Sequence, residues 1–482
     1  MMSQTSKPSI LLIFPPYSDN ICFQTTPPLG INYLKSILQK QGFDAAAVDL
    51  NLAFITTEKL LNHKSDNQKK YDFSEVFPLF KNLKECLKDY TLDDLAYNLY
   101  LSSLNFINAF RYDVIGFSVA FAHQLPRAIE MARIIRHLHP EIKLIIGGSQ
   151  ITLLTPLQIE MLRKSQIFDS IMCGNGEETL PYLLEHIKND APNIEIIKAK
   201  PLTKDAFNSL ETTDFSDIKD YFEPRFIPIL IGNGCHWGKC SFCDYKRLSQ
   251  NILLRKPEDV FAEIKSHNEN INPSGFILIS DAIPPNWYLK LCNLAISENY
   301  KLKTSGYMLH DKNLDNHFFQ TLSKAGVYEI NFGTESLNNR VLKLMNKKAD
   351  YETIKQNLKA AAFYNIIISS NIIADFPNAS FEEIMDTAQK IEQLESYIDC
   401  LNVQYFDLTY GCDVFNNPDK FDIIIDKNYL TSGSHGFHGV KFKRKKPFTK
   451  TQITLIKNRY QELIDLIKKK DNVNKKTALF LS

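Results

Sequence analysis

Three cysteines, Cys235, Cys240 and Cys243, lie together in the segment GCHWGKCSFC at the spacing C-x4-C-x2-C. Thiols this close in a reducing compartment point to a metal centre or to catalysis rather than to a disulfide framework. Three thiolates with no fourth nearby leave one iron of a cubane cluster without a protein ligand. The amino and carboxylate groups of S-adenosylmethionine suit that open iron. An electron from the cluster would then break the sulfonium C–S bond and give a 5′-deoxyadenosyl radical. Zinc is the competing reading, with His236 as a fourth ligand. His236 directly follows Cys235, however, and adjacent residues converge poorly on one tetrahedral ion. The other six cysteines, Cys22, Cys86, Cys173, Cys292, Cys400 and Cys412, are scattered and read as ordinary thiols.

Such a loop needs a scaffold, and the chain supplies two βα series. From Ser9 to about Lys188, apolar runs at 10–14, 45–50, 113–119, 143–147 and 170–173 alternate with helical patterns beginning near Leu29, Leu125, Thr152 and Glu177. That order implies an α/β domain over 1–195 with a flavodoxin-like, Rossmann-type parallel sheet. A helical insertion is expected at about 56–111, where Leu, Tyr and Phe recur at helical spacing. Residues 196–224 lose periodicity and read as a linker. Six further βα units over 225–410 fit a partial (β/α)6 TIM-type barrel, with the cysteine loop directly after its first strand and the site where strands end. From 411 to 482 the chain reads as a small basic helical region. Lys441, Lys443, Arg444, Lys445 and Lys446 are expected there to attract an anionic substrate or carrier. The following helix is expected to bury a face of Ile453, Ile456, Tyr460, Leu463, Ile464 and Ile467.

The segment GCHWGKCSFCDY resembles the cluster loop of the radical SAM superfamily, in the variant found in members with an N-terminal cobalamin-binding domain. The resemblance extends along nearly the whole chain and implies a [4Fe-4S] cluster on Cys235, Cys240 and Cys243, with Phe242 near the adenine. ILISDAIPP resembles the second-strand segment that holds the S-adenosylmethionine amino group, here Ser280 and Asp281. INFGTESLNNRVLKLMNK resembles the fourth-strand signature, with Glu335 toward the ribose and Ser336 beside it. IIISSNIIADFPNAS resembles the fifth strand and carries over Ser369 and Asn371, although Asp375 and Asn378 stand where glycines are usual. Ser280, Asp281 and Glu335 also have plainer readings as helix starts.

The N-terminal strand ends are polar or glycine-rich, at Ser118-Val119, Gly147-Gly148-Ser149 and Gly174-Asn175-Gly176-Glu177. Such loops let a large planar ligand approach the backbone at the carboxyl edge of a sheet. They resemble segments of the cobalamin-binding domain and imply cobalamin at those residues. The D-x-H-x-x-G motif that would bring a histidine to cobalt is missing. The resemblance implies an enzyme that transfers a methyl group from cobalamin to an unactivated carbon. Two alternatives stay open: a rearrangement, cyclisation or cross-link without a methylating cobalamin, and a non-catalytic cluster or cobalamin sensor. The expected partners are an external flavodoxin- or ferredoxin-type electron donor and a small-molecule, peptide or carrier-bound substrate. Lys plus Arg number 56 and Asp plus Glu 55, so net charge gives no broad field for nucleic acid. No window approaches the roughly 20 apolar residues of a membrane span, and the expected location is the cytoplasm.

Overall fold

A computed structural model describes residues 7–16, 25–52, 83, 87–88, 94–187, 195–208, 212–249, 252–426 and 439–481. They form two compact units: the described residues up to Glu223 together with 439–441 make the first, and those of 224–426 and from Phe442 onward make the second. The HGFHG loop falls almost wholly outside the described residues, as do Cys22, Cys86 and most of the 56–111 insertion. Of that insertion the helix Asp94–Phe106 is described. Its Tyr100 is fully buried and donates to Glu130 Oε2 at 2.6 Å.

The first unit is built on a parallel sheet ordered β2-β1-β3-β4-β5-β6. Its strands are β1 Ile10–Phe14, β2 Ala45–Asp49, β3 Val114–Ser118, β4 Lys143–Gly147, β5 Ser170–Cys173 and β6 Glu195–Lys198. Successive side chains of a strand point to opposite faces, so each apolar run feeds two cores. Leu11 and Ile13 join Ile115, Phe117 and Ile146 on one face. Ile10, Leu12 and Phe14 join Val114, Ile145 and Met172 on the other, beneath Ile31, Leu38 and Leu183.

The sixth strand corrects the linker reading of 196–224. EIIK pairs in parallel with β5, a helix follows at Lys204–Asn208, and a 3-10 turn occupies Ser216–Asp220. A short edge strand lacks the apolar run that marks a central one, so its pattern was too weak to stand out. The turn is tied back to the sheet, with Tyr221 donating to Asp49 Oδ2 at 2.9 Å.

The second unit holds a parallel sheet ordered β14-β13-β12-β11-β10-β7. The strands are β7 Phe226–Leu230, β10 Gly275–Ile279, β11 Thr304–Met308, β12 Val327–Glu335, β13 Ile367–Ile373 and β14 Cys400–Gln404. Between the first two, β8 Gly232–Asn233 and β9 Leu253–Leu254 pair antiparallel and flank the cysteine loop. A small hairpin joins β15 Ile423–Ile425 to β16 Phe442–Arg444. The helix Lys450–Lys468 starts in a capping box at Thr449 and buries Ile456, Tyr460, Leu463 and Ile467. Ile453, expected on that face, is exposed. No described helix is long and apolar enough to cross a membrane.

Asp49 generates a testable pH dependence. Burial pushes its carboxyl up from 3.8 to about 7, against the hydrogen bonds from Tyr221 and the backbone of Asn51. The folded chain therefore holds this proton more tightly than the unfolded one. The associated stability is full below about pH 4 and is lost as the pH rises through about 7. Asp49→Asn keeps an acceptor for Tyr221 and removes the charge. Its thermal midpoint should exceed that of the native protein by about 3–6 °C at pH 8, keep roughly a third of that advantage at pH 5 and lose it below about pH 4. A difference independent of pH would refute this assignment.

Candidate functional site

Cys235, Cys240 and Cys243 are half-buried thiols outside any disulfide on an irregular loop, in which Cys243 N–H donates to Cys240 O at 3.3 Å. Positive φ at Gly234 (87°) and Gly238 (58°) bends the chain where an L side chain would be strained. The loop is strapped to the end of the helix Asn339–Leu344. Ser241 N–H donates to Met345 O at 2.9 Å, Trp237 Nε1 to Asn346 O at 2.8 Å, and Asn346 Nδ2 to Lys239 O at 2.8 Å. Ser241 O in turn accepts from Val414 N–H at 3.0 Å.

The His236 Nδ1 lies 3.2 Å from Ala282 O, and burial holds its pKa down. Among the described residues no three His, Cys, Asp or Glu side chains converge on a point that would hold a single metal ion. A cubane takes its thiolates on separate irons, which suits three half-buried thiols along one loop.

Around the loop stand consecutive strand ends. After β10, the Ser280 hydroxyl is enclosed without a hydrogen-bond partner. A Cβ at Gly232 would sit 3.3 Å from it and clash with Leu254, so glycine there admits the hydroxyl. The Asp281 carboxyl is pushed up by burial, opposed by a hydrogen bond from Gly234 N–H. An unpartnered hydroxyl and a buried acid beside the thiol loop fit the amino end of S-adenosylmethionine. At the end of β12, Glu335 has φ 65° and follows a register shift from Gly333. A non-glycine residue in that region costs roughly 1–3 kcal/mol and persists where its surroundings over-determine it. Burial raises its carboxyl, and the Lys347 ammonium, only 7% exposed and 3.5 Å away, opposes that rise. Burial also raises the Cys240 thiol, again opposed by Lys347. Phe242 meets Phe376 edge-on, with ring centroids 6.2 Å apart.

Other expected site residues have protein partners. Ser336 Oγ lies 3.0 Å from Thr387 Oγ1 and accepts from Asn338 N–H at 3.1 Å, which fixes the turn into the 339–344 helix. Ser369 donates to Glu329 Oε1 at 2.8 Å, and Asn371 Oδ1 accepts from Asn402 Nδ2 at 3.1 Å. Lys347 and Glu329 carried no role in the sequence reading. Lys347 stands in the same LMNK run as the quoted signature, but nothing local announces its burial.

At the N-terminal sheet's carboxyl edge, the glycines serve the loops themselves. Gly148 has φ 105°, and a Cβ there would meet Val119 O at 2.4 Å. Val119 N–H donates to Gly147 O at 2.8 Å and Ser149 Oγ to Ala120 O at 3.0 Å. Thr152 Oγ1 donates to Gly148 O at 3.0 Å and accepts from Gly174 N–H at 2.9 Å. The ends of β3, β4 and β5 are thereby knitted into one rim, with Ser118 closing its strand half-buried. Beside Gly176, Glu177 keeps one enclosed carboxylate oxygen without a partner, and burial raises its pKa. That oxygen is a ready acceptor for an amide-bearing ligand such as cobalamin.

Residues 229–391 match the radical SAM superfamily and residues 83–184 match the B12 binding domain. The chain thus carries a radical SAM region over 229–391 and a B12-binding region over 83–184 on its N-terminal side, and the cofactors of that class are a [4Fe-4S] cluster with S-adenosylmethionine, and cobalamin. Among curated proteins it is similar to the hopanoid C-3 methylase of Methylococcus capsulatus, at 22% identity over 338 residues, covering 65% of this chain and 63% of that one. Its architecture is shared with the cobalamin-dependent radical enzyme OxsB, at TM-score 0.64 and 14% identity over 94% of this chain and 66% of that one. It is also shared with the methyltransferase TsrM from Kitasatospora setae, at TM-score 0.62 and 13% identity over 88% and 81%. The chain thus spans less than two thirds of the length of the hopanoid methylase and of OxsB.

The basic segment departs from expectation at Arg444. This side chain, 13% exposed, donates to the carbonyls of Asp375 and Phe376 and faces the Asp375 carboxylate at 3.4 Å. It is a latch between the hairpin and the end of β13, while Lys441, Lys443 and Lys446 stay exposed and Lys445 pairs with Asp419 at 2.6 Å. A charge that is partly buried with its partner cannot serve as a collector of anions. Arg444→Ala should cost about 2–3 kcal/mol by stranding Asp375, whereas Lys443→Ala should stay within about 0.5 kcal/mol. Calorimetric unfolding of the two variants checks this, and equal losses would overturn the latch.

Proposed function

We propose that this protein cleaves S-adenosylmethionine reductively at a [4Fe-4S] cluster held by Cys235, Cys240 and Cys243, and methylates an unactivated carbon with the help of cobalamin. The observation that carries the reading is the unpartnered Ser280 hydroxyl beside Asp281, on the strand end that faces the thiol loop. A bound cluster supplies the electron that breaks the sulfonium bond, and bound cobalamin supplies the methyl group. Ser280 and Asp281 take the amino group, and Glu335 takes the ribose, with the Lys347 ammonium beside it. Phe242, anchored on Phe376, lines the adenine. Ser336 and Ser369 act through the groups they hold, the turn at Asn338 and the carboxyl of Glu329, and Asn371 stands at the end of the same strand as Ser369. Val119, Gly148 and Gly174 shape the rim on which cobalamin rests, with Ser118, Gly147, Ser149, Gly176 and Glu177 around it. A flavodoxin- or ferredoxin-type donor delivers the electron in a cytoplasmic setting, and the substrate is a small molecule, a peptide or a carrier-bound group.

Anaerobically reconstituted protein should bind about four irons and form 5′-deoxyadenosine from S-adenosylmethionine under strong reductant. Replacing all three cysteines by Ala should abolish both. Cobalamin absorbance should survive that replacement, because its rim lies in the other unit. Stoichiometric zinc without iron, or undiminished deoxyadenosine from the triple variant, would overturn the radical reading. Intact S-adenosylmethionine cleavage in protein that cannot bind cobalamin would instead favour a cobalamin-free rearrangement or cyclisation.

A further inference from the structure

The two faces of the second sheet differ in chemistry. Parallel register puts paired residues on the same face, and Tyr307 pairs with Asn331, Asn331 with Ser369, and Asn371 with Asn402. Gln404 lies two residues beyond Asn402 and shares its face. The opposite face carries Ile330, Phe332, Ile368 and Ile372, all buried. That face meets the helix Tyr351–Phe363 through His310, which stacks on Phe332 and reaches Asn357. The helix-covered face is thus the apolar one, and the other face carries a row of amides with a phenol beside the half-buried Ile277, Ile279 and Ile373.

The row is available for contact. Tyr307 is 48% exposed although β11 is an inner strand, Asn402 and Gln404 are exposed, and Asn331 and Asn371 are half-buried. Asn402 Nδ2 occupies the oxygen of Asn371, whose N–H groups have no hydrogen-bond partner among the described residues. The described strand residues of this face include no Lys or Arg. Its one acid, Glu329, accepts from Ser369 and Asn331, and burial favours its neutral form. At the strand ends the acids Glu335 and Asp375 are already matched by Lys347 and Arg444.

Carboxamides and a phenol both donate and accept. A charged ligand would be desolvated there without a counter-charge. A hydrocarbon would leave each amide unpaired, at about 1–3 kcal/mol apiece. We infer that the substrate is an uncharged compound rich in amide or hydroxyl groups, read by Asn331, Asn371, Asn402, Gln404 and Tyr307; the inference rests on the functional reading above.

The test uses reconstituted holoenzyme with S-adenosylmethionine and dithionite. An extract of the host's own cells grown in deuterated medium is split into charged, neutral polar and apolar fractions. When the substrate is present, its C–D bond breaks homolytically and the deuterium atom passes to the 5′ carbon of the deoxyadenosyl radical, whose electron came from dithionite. Mass spectrometry of 5′-deoxyadenosine should find deuterium with the neutral polar fraction. Asn402→Leu combined with Gln404→Leu should raise the amount of that fraction needed for half-maximal labelling about tenfold. Deoxyadenosine labelled by the charged or apolar fraction, labelled by none, or labelled equally by the double variant overturns the inference while leaving the radical reading standing. No deoxyadenosine in any reaction overturns the functional reading and this inference with it.

Discussion

A loop that carries three thiols has no periodic backbone pairing of its own, and its polar groups must be satisfied from outside. Here that need falls on residues 345 and 346, which receive Ser241 N–H and Trp237 Nε1 and return a bond to Lys239 O. Their position follows from events on β12. The register shift at Gly333 turns Glu335 into the left-handed region, Ser336 is fixed by Thr387, and Asn338 caps the helix that ends at Leu344. One chain of bonds therefore sets both the carboxylate of β12 and the thiol loop. A change at Ser336 or Thr387 reaches the cysteines without touching them.

Buried charge reinforces the same geometry. Glu335 with Lys347, Asp375 with Arg444, and Arg255 with Glu263 at 2.5 Å are all largely withdrawn from water. Such pairs roughly break even against apolar residues of equal volume, so they are weak sources of stability. Their effect is directional. Each fixes the position of two side chains, and two of the three sit at strand ends beside the site.

What the sequence made legible follows from physical range. Parallel strands buried on both faces appear as continuous apolar runs, and those at 10–14, 143–147 and 170–173 coincide with β1, β4 and β5. The cysteine spacing and the polar residues after β10 and β12 were equally visible, because they are local. Arg444 was not, since KFKRKKP offers several cations that only tertiary burial distinguishes. Lys347 was hidden for the same reason. The glycines at 148 and 174 were visible, but not that the neighbouring loop, rather than a ligand, is what a side chain would strike. Asn378 takes φ 62°, so the usual glycine at that place answers a backbone demand that Asn, among L residues, meets best.

The two sheets solve the same problem by different means. In each, parallel strands gather their carboxyl ends at one edge, where ligands of α/β sheets bind. At the N-terminal edge the loops are closed on one another through Gly148, Val119 and Thr152, leaving a smooth backbone rim with few side chains to obstruct a broad flat ligand. At the second edge the loops carry thiols, carboxylates and an enclosed hydroxyl, the donor set of a compact ligand with a charged amino acid end. The two edges thus differ through loop composition on a common scaffold, the first offering loops bonded to one another and the second aimed side-chain donors.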